Sequence, residues 1–252
     1  MACRCKGFWQ FWRMSKSRSQ KATPPAWPVP PMITGDWRDL DAETTEAFRI
    51  RLIEAQSRPR VIAHSGPLQA FRLFPLTCYP GFLSVDLLVG GEAGPRALWF
   101  LYGPQGPFPI TGESALLHDL NDRGLLALND EAAATEYLRL FCSAVQGEEG
   151  PFYIVESVQR YADLTGYEIN LPDPLFSLLK PLSAQATLDG WLIRGQVLYG
   201  DQLFSTQFSL SRGGLVEMIE DEMLGGPKFG PVFTVDGPLR APKAAANAKG
   251  GR

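Results

Sequence analysis

Two histidines, His64 and His118, and four cysteines, Cys3, Cys5, Cys78 and Cys142, are the side chains of this 252-residue chain best suited to general-base, nucleophilic or metal chemistry. His118 precedes Asp119 and Asp122 in a stretch that reads as an irregular turn. A base beside a thiol raises its thiolate fraction, so His118, Asp119 and Cys142 form the candidate catalytic set. Against it, Cys142 follows an apolar helical stripe, where an inert buried thiol is the usual outcome. His64, between Ala63 and Ser65, reads as a turn or strand-edge histidine. Cys3 and Cys5 form a C-x-C pair beside Lys6 and Phe8, suited to a metal or an acyl chain, but no second ligand pair follows at a zinc-like spacing.

Carboxylates offer a second route to chemistry. Glu217, Glu220, Asp221 and Glu222 crowd the end of one apolar-polar segment. Simple strand alternation puts Glu217 and Asp221 on one side and Glu220 and Glu222 on the other, so the reading is a solvated strand end rather than a metal site. The glycines at 90, 91 and 94 lack the G-x-x-x-x-G-K-[ST] pattern of a phosphate loop, and no G-x-S-x-G or H-E-x-x-H occurs. No cofactor or metal is implied. Trp99, Tyr102 and Phe108, with prolines between the last two, are candidates for a peptide-binding groove, although such aromatics suit a core equally well.

These residues must be positioned by a packed body. Apolar residues are 45% of the chain and charged residues 20%, which is globular composition. The 25 glycines and 21 prolines favour short strands and turns over a helical bundle. A helix is expected from Asp41, with Phe48, Leu52 and Ala55 as its stripe and Pro59 beyond its end. Strands are expected at Gln69 to Leu76, Phe82 to Val89 and Arg96 to Tyr102, with Gly90 and Gly91 turning between the last two; Gly103 to Gly112 reads as a proline-rich surface loop. Asn129 reads as the cap of the clearest helix, which Gly147 would end, followed by a short strand at Phe152 to Glu156. A three-stranded meander of Trp191 to Tyr199, Leu203 to Leu210 and Leu215 to Ile219 is expected, with Phe204, Thr206, Phe208 and Leu210 pointing to one buried face and Ser205, Gln207 and Ser209 to a wet one. The fold class is therefore α+β: a predominantly antiparallel sheet, with an N-terminal meander and a C-terminal meander, packed with about two main helices.

The charge divides the chain into a basic Pro-rich arm (1–35), one acidic domain (36–239) and a basic tail (240–252). The arm has six basic residues and no acid before Asp36, and the tail has four. Removing these ten from the 24 bases leaves 14 against all 27 acids, a balance of −13 for the body. Such a body repels a phosphate backbone, which argues against nucleic acid at the folded domain. No apolar run reaches the about 18 residues of a membrane span, and the sparse cysteines suit reduced thiols, so a cytoplasmic protein is expected. Met14 is an alternative start to Met1. Function is then expected to be a non-catalytic protein-interaction or assembly module, with self-association or a partner strand at a sheet edge. The rivals are a small-molecule hydrolase or transferase and an apolar-ligand carrier.

Overall fold

The computed structural model describes residues 25–54, 67–92, 94–170, 175–225 and 228–243, with backbone alone at 51–54 and 176. Cys3, Cys5, Met14, His64, Ala55 and Pro59 lie outside the described residues, as does the side chain of Leu52. The α+β class holds, and the described sheets pair antiparallel throughout.

The first sheet grows from β1 (Arg38–Asp39), β2 (Leu68–Pro75), β3 (Leu83–Val89) and β4 (Arg96–Gly103). Between β1 and β2 lies helix α1 (Ala42–Glu54), whose first turn is capped by Asp41, its carboxylate accepting the Thr44 N–H at 2.7 Å. The positive φ in the β3–β4 turn falls at Gly94 (97°), not at Gly90 or Gly91. The expected surface loop instead contains β5 (Gly106–Pro109), which folds back on the second half of β4. Pro107 and Pro109 are tolerated because β5 is an edge strand, where a missing N–H breaks no inner ladder.

Helix α2 (Ala115–Asp122) replaces the irregular turn expected around His118; Leu117 and Leu120, one helical step apart, are both buried. Helix α3 (Glu131–Ala144) is capped one residue later than expected, by Asp130, whose side chain accepts the Ala133 N–H at 2.8 Å. It ends at an extended Val145, not at Gly147. Gly147 belongs to β6 (Gln146–Gly147), hairpinned with β7 (Gly150–Pro151), where a Cβ would stand 2.5 Å from the Tyr199 hydroxyl. After β8 (Tyr153–Ile154) comes α4 (Val158–Thr165), capped by Ser157 and closed by left-handed Gly166, and then the one-turn α5 (Leu175–Leu178).

The second sheet holds β9 (Ser183–Ala186), β10 (Gly190–Tyr199), β11 (Gln202–Ser211) and β12 (Val216–Met223) in the order β12-β11-β10, with β8 and β9 sharing the far edge of β10. The chain then returns as β13 (Phe233–Asp236) and β14 (Leu239–Pro242), and β14 pairs with the first half of β4. The C-terminal meander thus forms as expected, with β12 running four residues past its expected end.

Both faces of the first sheet are covered. Along β4, Leu98, Phe100 and Tyr102 join Phe48 of α1, while Ala97, Trp99 and Leu101 join the main core with α3 and the inner face of β10. Because β3 is buried on both faces, its polar residues lie in the interior: Ser84 accepts the Trp99 indole N–H at 2.8 Å, and Asp86 is wholly buried. Asp86 accepts from Arg72 of β2 at 2.7 Å and from Arg240 of β14, one carboxylate serving two buried guanidiniums.

Those arginines, with Arg160, tie the core to chain on either side of residues 36–239. Arg72 donates to the Val29 carbonyl, Arg240 to that of Pro30, and Arg160 of α4 to those of Pro31 and Met32. A proline-rich extended segment has no internal hydrogen bonds, so its carbonyls remain to accept from these donors. Val29, Met32 and Ile33 are buried as a result, although the sequence places them in the arm. Arg240, counted with the basic tail, is a 1% exposed strand residue.

Candidate functional site

Strand β12 is the outer strand of the second sheet, and among the described residues no strand pairs with its far edge. Its eight residues carry four acids and no base. The pairing with β11 shifts between Gln207 and Phe208: Met218 lies opposite Phe208, Glu220 opposite Gln207, and Ile219 has no partner. This bulge resets the alternation of the strand. Residues directly opposite in an antiparallel pair share a face. Glu217, Glu220 and Glu222, opposite Ser209, Gln207 and Ser205, therefore share the outer face, and Asp221, opposite Thr206, takes the inner one. The expectation from simple alternation, with Glu217 grouped with Asp221, is corrected by that single inserted residue.

The apolar residues here are unusually open. Leu215, Met218, Ile219 and Met223 are 53%, 41%, 49% and 58% exposed. The outer face continues inward as a shallow polar cleft of about 620 Å³, bounded by Lys180, Arg194, Gln196, Gln207, Glu220 and Glu222. The Arg194 guanidinium donates to the Gln207 amide oxygen at 2.7 Å. The four carboxylates of β12 make no ion pair among the described residues, where no group of three His, Cys, Asp or Glu side chains could hold a metal.

A buried relay fixes the start of this strand. Tyr79 donates to Asn121 at 2.6 Å, Asn121 to the Tyr137 hydroxyl at 2.8 Å, and Tyr137 to the carbonyl of Gly214 at 2.9 Å. Burial pushes both phenols up, Tyr137 to about 12, so each remains a neutral donor. Gly214, with φ 85°, turns β11 into β12, and a Cβ there would lie 2.3 Å from the Asn121 amide nitrogen. The interior thus sets where the edge begins.

No hydrogen bond or ion pair joins the residues singled out for catalysis to one another. His118 lies on α2 with its ring 6.1 Å from that of Phe141, and its imidazole forms no hydrogen bond or ion pair with a described residue. Asp119 is paired with Arg123 at 2.5 Å on the surface. Cys142 is a free thiol, 4% exposed, pushed up to about 12 by burial. Cys78 is also free and buried; desolvation and the nearby Glu136 carboxylate raise it well above the ordinary thiol range. Glu136 instead accepts the backbone N–H groups of Thr77 and Cys78 at 2.6 and 2.8 Å.

The groove candidates separate. Trp99 faces the main core at 2% exposure, Tyr102 points to the opposite face of the sheet beside Phe48, and Phe108 packs on Phe82. Asp86 and its arginines are not among the residues the sequence singles out; their one local signal is an acid in the middle of the largely apolar run Leu83–Val89. Nor is the bulge, signalled by adjacent apolar residues Met218 and Ile219 inside an alternating segment. No helix among the described residues is long and apolar enough to cross a membrane. Compared with protein-family models, curated proteins and solved structures, the chain matches none.

Proposed function

We propose that this protein works by recognising another protein rather than by catalysis, as an interaction or assembly module whose contact edge is β12. The observation that carries this reading is the edge itself, unpaired among the described residues, eight residues long and half-exposed at Met218, Ile219 and Met223. An open row of backbone donors and acceptors beside exposed apolar side chains is a template for an added strand. Folded proteins shorten, cover, charge or bulge such an edge; β12 carries charges and a bulge but keeps its length and its exposed Met218, Ile219 and Met223, and it is anchored at Gly214. The rival, a hydrolase or transferase built on His118, Asp119 and Cys142, draws no support from a buried, protonated thiol and an aspartate committed to Arg123.

Photo-crosslinking in the native cell tests the reading. A photoreactive side chain at position 219 is expected to give a discrete protein adduct, while one at Leu188, 93% exposed on the turn between β9 and β10, gives none. Equal labelling from both positions, or none from position 219, would sink it.

A further inference from the structure

We infer that the β12 edge takes an extended segment of another protein that alternates Lys or Arg with apolar residues. The inference rests on the reading of β12 as an interaction edge, and names the chemistry of what it binds. The first ground is charge: Glu217, Glu220, Asp221 and Glu222 stand in an eight-residue strand without a base. The second is their arrangement. The bulge at Ile219 gathers Glu217, Glu220 and Glu222 onto one face and leaves Val216, Met218 and Met223 on the other, with Asp221 the one acid among them. Same-face residues along a strand are about 6.8 Å apart, the spacing at which an incoming strand presents alternate side chains. Lys or Arg at every second position would meet the acidic face, while the residues between would extend the half-exposed apolar one. Arg194, the base in the same row two strands inward, is hydrogen-bonded to Gln207 and does not neutralise the edge.

A second copy of the chain fits poorly. Full-length antiparallel pairing of β12 with itself sets Glu217 against Glu222, and like charges directly opposite destabilise a sheet. The acidic body adds long-range repulsion between copies and attraction for a basic segment.

The test titrates the full chain with three nine-residue peptides that alternate Val with Lys, with Thr or with Glu, reading affinity by fluorescence anisotropy and contact by amide exchange along β12. The Lys–Val peptide is expected to protect β12 and to bind about tenfold or more tighter than Thr–Val, a gap of about 1.4 kcal/mol. Raising salt from about 50 to about 300 mM should narrow that gap, because these exposed charges are screened. The E217Q/E220Q/E222Q variant should also narrow it, with an unchanged melting temperature. Equal binding of the Lys–Val and Thr–Val peptides overturns the basic partner while leaving β12 as an interaction edge. Protection by none of the three overturns both. Protection of the outward-facing amides of β12 already present in the free chain overturns a foreign segment: if it rises with protein concentration the occupant is a second copy, and if it is lost in R13Q/K16Q/R18Q the occupant is the chain's own N-terminal segment.

Discussion

Replacing Asp86 by Ala should be among the most damaging single changes in this protein. The carboxylate is wholly buried and accepts from Arg72 at 2.7 Å and from Arg240, each guanidinium itself at least nine-tenths buried. Removing one partner of a buried ion pair costs about 3–5 kcal/mol, because the charge left behind is neither solvated nor compensated. Here two charges are left. Arg240 keeps the Pro30 carbonyl and Arg72 that of Val29, which holds the loss near that range rather than doubling it. A domain of total stability about 5–15 kcal/mol would lose a large share. Urea unfolding followed by tryptophan fluorescence reads the effect, since Trp99 lies directly across the sheet from Asp86. The R72M/D86L/R240M variant separates lost charge pairing from lost packing: replacing a whole buried ionic cluster by apolar residues is often neutral or stabilising. A loss below about 1 kcal/mol for Asp86→Ala, the range of solvated surface pairs, would refute the reasoning.

Gly214→Ala should lower stability by about 1–3 kcal/mol, since φ 85° disfavours a side chain and the added Cβ meets Asn121 and Leu126; a thermal melt no lower than wild type would contradict it. Burial alone would raise the Glu156 carboxyl, but the paired Arg139 and the Leu182 N–H hold it below the ordinary value. Its contribution is therefore present above the ordinary glutamate range, about 4.3, and is lost as pH falls through the folded value. Glu156→Gln should flatten that acid limb in pH-dependent unfolding, and an unchanged limb would count against the pairing. Cys78 and Cys142, both buried and held protonated, should resist iodoacetamide at pH 8 until the chain unfolds; mass spectrometry finding rapid labelling of either in the native protein would contradict their placement.

Elements governed by local pattern were legible in the sequence. Periodic apolar residues located β2 to β4 and the C-terminal meander, and Asp41 capped its helix as expected, because capping and alternation act over a few residues. What depends on distant partners was not. Asp86 reads as a misplaced charge until Arg240, 154 residues later, is brought beside it. The proline-rich stretch from Val29 to Met32 looked like a free arm because the donors that hold its carbonyls come from β2, α4 and β14. At the candidate edge, the acidic composition was plain, but the sharing of one face by Glu217, Glu220 and Glu222 depends on a register shift against β11. The burial of Cys142 was legible too, since the apolar stripe beside it on α3 packs into the core.

The central claim, that β12 presents an open edge, is tested most directly by site-resolved amide exchange on the purified monomeric chain. Amides of β12 bonded to β11 should be protected and those facing outward should exchange as solvent-exposed groups, in alternation broken at Ile219, while every amide of the central strand β3 is slow. Uniform protection along β12 in the monomer would mean that its edge is already covered, and would contradict the account.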